Sequence, residues 1–337
     1  MEWMNDWFGP DGAAPAFRPN FPDRDDPAFT NDTHQTASRA AALIQAIDPD
    51  IMGIQEAPSR QAELDLFVQQ YLSDGDQPRY YTLLGHTGAA QKVGLLFKPT
   101  LWVQLVPHAD IADLIDPWQA DIDGDAVLEA YSFTRAPLVV DVQLGGTMLR
   151  LLVAHTKSNY INNGQQLWDD PAQRQNYIVS ALKDRRRIST EAMRMRTFLD
   201  GLLEADVTTR VIVLGDLNDG PGLDFFEASY LAHNCLDILL GSGFQPEWML
   251  THAQHDVPAT GRYTAIFDDF VSGEPAKHVL LDHILLAPGL KGSHGLHREP
   301  GSGTVHHAEY DAQVSSSGQH RQDRPSDHRP VSVRLRF

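Results

Sequence analysis

The sequence predicts a mixed α/β protein, and two patterns carry that prediction. Short runs rich in Val, Ile and Leu have the length of buried strands. Between them lie stretches with the apolar spacing of helices, the first at residues 33–47 and ended by an Asp-Pro pair. Asp170 and Pro171 supply an N-cap and a first-turn proline for a long helix that reaches about Leu203.

In chain order, the predicted elements alternate. A strand at residues 51–54 follows the first helix, and a second helix covers residues 60–71. Further strands are predicted at residues 93–97, 138–142, 149–154 and 211–214. Residues 291–324, rich in Gly, Ser, His and Gln, are predicted to form a mobile loop. No internal repeat or linker is visible, so we predict a single domain over residues 1–337.

Composition excludes several classes of protein. The chain has 337 residues, of which 42% are apolar, enough for a large buried core. No apolar stretch approaches the ~20 residues of a membrane-spanning helix, so we expect no stable membrane insertion. The single cysteine, Cys235, excludes an internal disulfide and argues against a zinc-thiolate site. No secretory signal follows Met1, and the cellular location stays unknown.

Charge is unevenly distributed along the chain. The net charge of −18 argues against a protein that coats nucleic acid through a broad basic face. Residues 99–134 contain acidic residues but no Lys or Arg, whereas residues 174–196 are strongly basic, with only Asp184 and Glu191 as acids. A phosphate-rich substrate would be attracted to the second region and repelled by the first.

Five polar clusters lie at the ends of short apolar runs, and the last of them precedes an alternating strand that closes the chain. They are Gln55-Glu56, His155-Thr156-Lys157, Asp216-Leu217-Asn218, Asp282-His283 and Asp327-His328. Each cluster alone is compatible with an ordinary cap or turn after a buried strand. Together they would bring carboxylates, amides and imidazoles to one rim of a sheet, which is how a divalent-metal phosphoryl-transfer site is built.

The order of these clusters resembles that of the endonuclease/exonuclease/phosphatase superfamily. This superfamily includes DNase I, exonuclease III, the neutral sphingomyelinases and the inositol polyphosphate 5-phosphatases. The resemblance runs from Glu2 to His328, nearly the whole chain. It implies a four-layer α/β sandwich, in which two mixed, mainly antiparallel β-sheets pack face to face and helices cover their outer surfaces.

The resemblance implies a role for each cluster. Glu56 matches the principal Mg²⁺ ligand of the family, and Asp327 is expected beside the metal. Asp216 would orient the attacking water, while Asn218 would donate a hydrogen bond to a phosphate oxygen. The partner of Asp327 in the last cluster, His328, would act as a base or as a charged donor to the scissile phosphate.

Further residues surround this group by resemblance or by proximity in sequence. Asp282 matches the carboxylate that orients the last imidazole, and His155 matches the second imidazole across the phosphate. DNase-like members support that second imidazole with a Glu, but the stretch that begins at Gln91 has none, so we expect His155 to contact phosphate. Arg135 fits the family motif Phe-x-Arg-x-Pro and is a candidate phosphate ligand or an ordinary surface ion pair; Asn159 is a candidate for the substrate rim.

The first strand departs from the family pattern. In the family, this strand ends in an Asn, and an acidic residue follows two positions later. Glu2 matches the acidic residue and is a candidate ligand for a second metal position. The expected Asn would precede Met1, so we expect the chain to lack part of its first strand.

These observations predict a Mg²⁺- or Mn²⁺-dependent phosphodiester hydrolase. The leading substrate is nucleic acid, DNA or RNA, because the basic stretch 174–196 follows the strand that carries His155. The alternative is a lipid headgroup or small phosphorylated metabolite, which the acidic charge and the lack of aromatic residues within the basic stretch favour. A third hypothesis, a non-catalytic binding protein, conflicts with the intact catalytic clusters. Nothing indicates an obligate protein partner.

Overall fold

Helices form on the stretches with helical apolar spacing. A computed structural model describes residues 4–10, 13–23, 26–85, 91–122, 124–231 and 233–337. Its helices are α1 (Thr33–Ile47), α2 (Gln61–Tyr71), α3 (His108–Ile115), α4 (Gly164–Asp169), α5 (Arg174–Ala205), α6 (Cys235–Leu240) and α7 (His307–Asp311). Asp32 caps α1, since its side chain accepts a hydrogen bond from the Gln35 amide.

Within the described residues, nine strands build the two larger sheets. They are β1 (Ile51–Ala57), β2 (Tyr81–Leu84), β3 (Lys92–Phe97), β4 (Trp102–Leu105), β5 (Leu138–Leu144), β6 (Thr147–His155), β7 (Val211–Asp216), β8 (Thr251–His252) and β9 (Asp282–Leu286). One sheet has the order β8-β9-β7-β6-β5-β4 and the other has the order β1-β3-β2. Neighbouring strands are antiparallel except β6 and β7, which run parallel.

Small elements decorate the two sheets. Two-stranded ribbons pair Asn20–Pro22 with Thr30–Asp32, Ser73–Asp74 with Gln77–Pro78, Trp118–Ala120 with Glu129–Tyr131, Ala265–Asp269 with Glu274–Val279, His297–Arg298 with Leu335–Arg336, and Thr304–Val305 with Val331–Ser332. Single helical turns lie at Met4–Trp7, Glu227–Leu231, Pro246–Trp248, Ala259–Gly261, Pro288–Leu290 and Arg321–Asp323. Some of these short pieces are part of the core, since Met4, Trp7 and Phe21 are buried.

The two sheets pack face to face. Along β5, Leu138, Val140 and Val142 lie in the core between the sheets, whereas Val139 lies in the core under the helices. This alternation follows the two-residue period of a strand. Residues of α1 and α2 pack on the outer face of the three-stranded sheet, and residues of α3, α5 and α6 pack on the outer face of the six-stranded sheet. The predicted four-layer α/β sandwich with mainly antiparallel sheets is confirmed.

Two glycines allow the strands that lead to one rim to approach closely. A Cβ on Gly53 of β1 would lie 2.8 Å from a methyl carbon of Val153 on β6. Gly215 of β7 has a φ of 139°, and a Cβ there would lie 1.9 Å from the Ala154 carbonyl and 2.9 Å from the Gln55 side-chain nitrogen. The ends of β1, β6 and β7 therefore meet at the same rim.

The long helix α5 differs in one respect from the prediction. It begins at Arg174, and the Asp170-Pro171 pair instead follows the short helix α4. It continues for 32 residues to Ala205 and presents a buried stripe that includes Ile188. Among the helices that the structure describes, none is long and apolar enough to cross a membrane.

Residues 291–324 are not the loop that their composition favoured. They contain α7, parts of two ribbons and a helical turn. Arg321 is only 3% exposed. The Arg39 side chain of α1 donates hydrogen bonds to the carbonyls of Gln313 and Gln322 at 2.6 and 2.8 Å. Tertiary contacts of this kind order the segment, and its composition does not signal them.

Candidate active site

Strand register brings three of the predicted residues side by side. His155 on β6 pairs with Asp216 on β7, and Asp216 in turn lies opposite Asp282 on β9. Their exposed fractions are 3%, 8% and 9%, respectively. One rim of the six-stranded sheet thus carries an imidazole and two carboxylates on adjacent strands.

His328 completes this group from the C-terminal segment. Its Nδ1 lies 2.7 Å from Asp282 Oδ2 and 4.0 Å from Asp216 Oδ2. Burial alone would lower the pKa of His328, but the carboxylates of Asp282, Asp327 and Asp216 outweigh burial and raise it well above its ordinary value. Burial opposes ionisation of Asp282 as well, yet His328 holds the pKa of that carboxyl below its ordinary value. The pair is therefore an ion pair with a charged imidazole donor.

Asp216 behaves differently from Asp282 although both side chains are buried. Burial raises the pKa of Asp216 to about 6; Asp282 adds to this effect and His328 opposes it. One carboxylate oxygen, Oδ1, accepts a hydrogen bond from the Asn218 amide at 2.8 Å. A carboxylate with a raised pKa accepts a proton from a neighbouring water more readily than an ordinary aspartate does.

His155 is a buried, neutral imidazole. Burial, helped by the positive charge of Arg135, lowers the pKa of His155 well below its ordinary value. Its Nε2 lies 3.7 Å from Asp216 Oδ2. The enclosed Nδ1 has no hydrogen-bond partner among the described residues. Gln91, from the stretch in which relatives carry a supporting Glu, instead accepts a hydrogen bond from Arg135 Nη2 at 2.6 Å.

Thr156 links these residues, and it was not among those predicted from the sequence. Its amide donates to the Asp216 carbonyl at 3.1 Å, and its hydroxyl donates to the Leu217 carbonyl at 2.5 Å. The Thr156 carbonyl accepts hydrogen bonds from Arg135 Nη1 at 3.2 Å and from Asn218 Nδ2 at 3.1 Å. Its place directly after the imidazole of the second cluster is the only sequence signal that could have marked it.

Asn218 and Asn159 lie on facing turns at this rim. Asn218 has a φ of 50°, in the left-handed region that Asn tolerates better than most residues. Its carbonyl accepts a hydrogen bond from Asn159 Nδ2 at 2.7 Å. The enclosed Oδ1 of Asn159 has no partner within the described ranges. Asn159 therefore joins the group through Asn218, as Arg135 joins it through Thr156.

A histidine pair supports the turn that follows β7. The Gln254 amide donates to His252 Nδ1 at 3.1 Å, which places the His252 proton on Nε2. That proton is donated to His283 Nδ1 at 2.8 Å, and His283 Nε2 donates to the Asp219 carbonyl at 2.7 Å. Burial lowers the pKa of His252 to about 3 and lowers the pKa of His283. Both rings are neutral, and no cluster of residues in the sequence indicated this chain of hydrogen bonds.

The amino-acid sequence from residue 27 to residue 328 matches the model of the Endonuclease/Exonuclease/phosphatase family. The chain belongs to this family. Its members are phosphoester hydrolases that generally depend on a divalent metal, so this endonuclease/exonuclease/phosphatase protein is a phosphoesterase. No match is found among curated proteins.

Several solved structures are similar to this protein over most of its length. A humanised D. rerio TDP2 with 14 mutations has 14% identity and a TM-score of 0.48, and the match covers 91% of this chain and 94% of that one. A mannosyl-6-phosphatase from Bacteroides thetaiotaomicron has 13% identity and a TM-score of 0.46, with coverages of 90% and 91%. Likenesses this distant do not identify the substrate.

The residues expected to bind the family's metal are described in part. Glu56 lies at the end of β1 with a φ of 55°, where the pairing with β3 shifts register. The negative charge of Asp327 contributes to the raised pKa of His328 and offsets part of the lowering of the pKa of His155. Glu2 lies outside the described residues. Within those that are described, no group of three or more His, Cys, Asp and Glu side chains is placed to hold a metal ion.

Two arginines of α5 make hydrogen bonds to other parts of the protein. Arg185 is 11% exposed, donates to Asp224 Oδ2 at 2.8 Å from its Nε and lies 4.7 Å from the centre of the Phe226 ring. Arg196 is also 11% exposed and donates to the Trp248 carbonyl at 3.1 Å. These guanidinium groups stabilise the packing of α5 on neighbouring loops. Two of the seven basic residues in the stretch 174–196 are therefore held by contacts within the protein.

Proposed function

We propose that the chain hydrolyses a phosphodiester in a reaction that depends on a divalent metal. The observation that carries this proposal is the 2.7 Å contact of His328 with Asp282 beside Asp216 on the adjacent strand. A charged imidazole can donate to a phosphate oxygen, and a second carboxylate next to it can take a proton from water. Both functions are needed for in-line attack of water on phosphorus.

Each residue at the rim has a part in this reaction. Asp216 orients the water and takes its proton as the oxygen attacks phosphorus. His328 stabilises the negative charge that develops on the phosphate oxygens, and Asn218 and His155 donate further hydrogen bonds to them. Arg135 retains donors beyond the two that it uses and binds the phosphate. The bond from phosphorus to one alcohol breaks, and the departing alkoxide takes a proton from solvent, which leaves a phosphomonoester.

The donor set fits a hard cation. Glu56 and Asp327 would hold the metal, and Glu2 is a further candidate ligand. These are oxygen ligands without a thiolate, which suits Mg²⁺ or Mn²⁺. Mg²⁺ commonly keeps several waters and uses one or two carboxylates, so few protein ligands are required. When bound, the metal supplies Lewis-acid stabilisation of the phosphate charge.

A lipid headgroup or another small phosphodiester is the substrate that we favour. The net charge of −18 repels a polyanion, and Arg185 and Arg196 are bound within the protein. The loop after β7 exposes apolar side chains instead: Leu223 is 45% exposed and Phe225 is 48% exposed. An apolar group attached to the phosphate would find a complementary surface there.

Nucleic acid is the second candidate, and Tyr160 favours it. This ring is 76% exposed and directly follows Asn159, which is bonded to Asn218. An exposed aromatic face beside a phosphodiester site suits stacking on a base. Hydrolysis of single-stranded DNA that falls on Tyr160→Ala, while hydrolysis of bis-p-nitrophenyl phosphate stays unchanged, would support this candidate.

Metal removal tests the proposed reaction. The protein should hydrolyse bis-p-nitrophenyl phosphate with Mg²⁺ or Mn²⁺, lose that activity in EDTA and regain it when the metal is restored. Sphingomyelin vesicles and single-stranded DNA, assayed in parallel, separate the two substrate classes. Glu56→Gln should raise the metal concentration for half-maximal rate, whereas the exposed control Glu204→Gln should not. Full activity in metal-free buffer would contradict the mechanism.

A further inference from the structure

A buried carboxylate on α5 connects two segments that lead into the site. Glu191 is fully buried, with an exposed fraction of 0%. Its Oε1 accepts hydrogen bonds from the Thr134 amide at 2.8 Å and from the Thr134 hydroxyl at 2.9 Å. Its Oε2 accepts a hydrogen bond from the Lys157 amide at 2.9 Å. A carboxylate in such a place is costly unless hydrogen bonds satisfy both oxygens, and here three donors do so.

The two bonded segments carry proposed substrate contacts. Thr134 directly precedes Arg135, and Lys157 directly follows Thr156. The segments are also joined by a second contact, because Arg135 Nη1 donates to the Thr156 carbonyl at 3.2 Å. Glu191 and Arg135 thus each link the same two segments. Displacement of either amide from Glu191 would move the base of the Arg135 side chain relative to the turn after β6.

We propose that Glu191 is a positioning residue, which sets Arg135 against the turn that follows His155 so that the guanidinium can bind the substrate phosphate. This inference rests on the proposed function and deepens it. Glu191 touches neither substrate nor the reacting atoms in this role. Its effect passes through Thr134 and Lys157, whose amides it binds.

The chemistry of the carboxylate predicts which substitutions separate this role from simple stabilisation. Glu191→Gln keeps the shape but replaces one acceptor oxygen with an NH₂ donor. The oxygen is expected to stay with Thr134, which offers two donors, so the NH₂ group would face the Lys157 amide and lose that bond. Thr134→Val is a milder change that removes only the hydroxyl donor. Thr190→Val is a matched control on the same helix, since the buried Thr190 hydroxyl donates to the Arg186 carbonyl of that helix.

Kinetics on bis-p-nitrophenyl phosphate with Mg²⁺ test the proposal. Glu191→Gln should raise KM on the order of tenfold with a smaller change in kcat, since a binding contact is misplaced while the dyad of His328 and Asp282 is intact. Thr134→Val should raise KM less, and Thr190→Val should leave it unchanged. Amide hydrogen exchange at Lys157 should accelerate in Glu191→Gln. Because both residues act through one contact, Glu191→Gln combined with Arg135→Gln should be no worse than Arg135→Gln alone.

Failure of this inference is distinct from failure of the proposed function. Unchanged KM in both Glu191→Gln and Thr134→Val, with the wild-type protein active, would overturn the positioning role alone. The positioning role would also be overturned if KM in the double variant Glu191→Gln/Arg135→Gln rose by the product of the two single-variant increases. Glu191 would then act independently of Arg135. Should Glu191→Gln not fold, the comparison of Thr134→Val with Thr190→Val decides by the same KM measurement. A wild-type protein that hydrolyses none of the phosphoesters overturns the proposed function itself.

Discussion

His328 donates a hydrogen bond from Nδ1 to Asp282 Oδ2 at 2.7 Å and lies near two further carboxylates, those of Asp216 and Asp327. We expect His328→Ala and Asp282→Ala each to lower kcat by factors on the order of 10²–10⁴, the range for a positioned acid-base group. The double variant should be little worse than either single one, because the two side chains act as a unit. Steady-state kinetics on a chromogenic diester measure all three.

The exposed residue Asp76 provides the control for this pair. Asp76→Asn should leave kcat unchanged, since that side chain lies on the surface. Losses that multiply in the double variant would show that His328 and Asp282 act separately. The dyad would then be a structural ion pair rather than one catalytic unit.

At the residue scale, what could be predicted depended on the chemistry of the side chain. Asp282 and His328 carry charge and lie in short motifs, so the sequence marked both of them. Thr156 and Glu191 are equally central to the hydrogen bonds around the rim, but a Thr after a His and a Glu on a basic helix are ordinary in any sequence. Thr156 bonds to Leu217, 61 positions away, and Glu191 bonds to Thr134, 57 positions away. No local sequence pattern encodes contacts at such separations.

At the element scale, part of the positive charge of α5 is used inside the protein. Its basic stretch was expected to attract a polyanion, yet Arg185 is bonded to Asp224 and lies over an aromatic ring. Arg185→Gln should therefore lower the free energy of unfolding by about 1.5–3 kcal/mol, the range for a charged hydrogen bond, and the lost ring contact adds to this. Urea denaturation measures the change.

Lys183 is the matched control on the same helix, because its side chain is exposed. Lys183→Gln should change stability little, and neither variant should alter the salt dependence of activity on single-stranded DNA. If Arg185→Gln instead left stability intact and raised KM for DNA selectively, Arg185 would be a substrate contact. That result would directly support the nucleic-acid hypothesis.

Elements were predictable where burial on both faces leaves a continuous apolar run. The strands β6 and β7 are of this kind, and the sequence located both within two residues of their observed bounds. The ribbons within residues 291–324 were not predictable, since two-residue strands have no periodicity. Arg39 and similar distant residues, not local sequence, hold that segment in place.

At the scale of the whole molecule, the layered architecture explains why the site lies where it does. Two sheets in close contact leave no room for polar groups between them, so the strand ends at the rim are the first positions that can carry carboxylates and imidazoles. The parallel pair β6 and β7 brings His155 and Asp216 to that rim together. The order of motifs predicted this convergence, but not the distances within it.

The dependence of stability on pH is also a property of the whole molecule. Its buried titratable groups change the free energy of unfolding in opposite directions as pH falls. Burial lowers the pKa of His252 to about 3, so below its unfolded value of about 6.5 the unfolded chain binds a proton that the folded chain does not. This histidine makes the protein less stable as pH falls from about 6.5 to about 3. Burial raises the pKa of Glu227 to about 8, above its value in the unfolded chain. As pH falls through about 8, the folded chain therefore binds a proton that the unfolded chain does not, and Glu227 makes the protein more stable.

Substitution of one histidine separates these contributions. His252→Gln keeps a side-chain NH that can donate to His283 and removes the group that titrates. In the wild-type protein, His252 should lower the free energy of unfolding by up to about 1.4 kcal/mol for each unit that pH falls between pH 6 and 4. His252→Gln should lack this dependence. Urea denaturation at pH 7, 6, 5 and 4 measures the difference, with the exposed His294→Gln as the control. If stability fell with pH equally in the wild-type protein and in His252→Gln, His252 would be protonated in the folded state. The chain of hydrogen bonds from a neutral His252 through His283 to the Asp219 carbonyl would then be wrong.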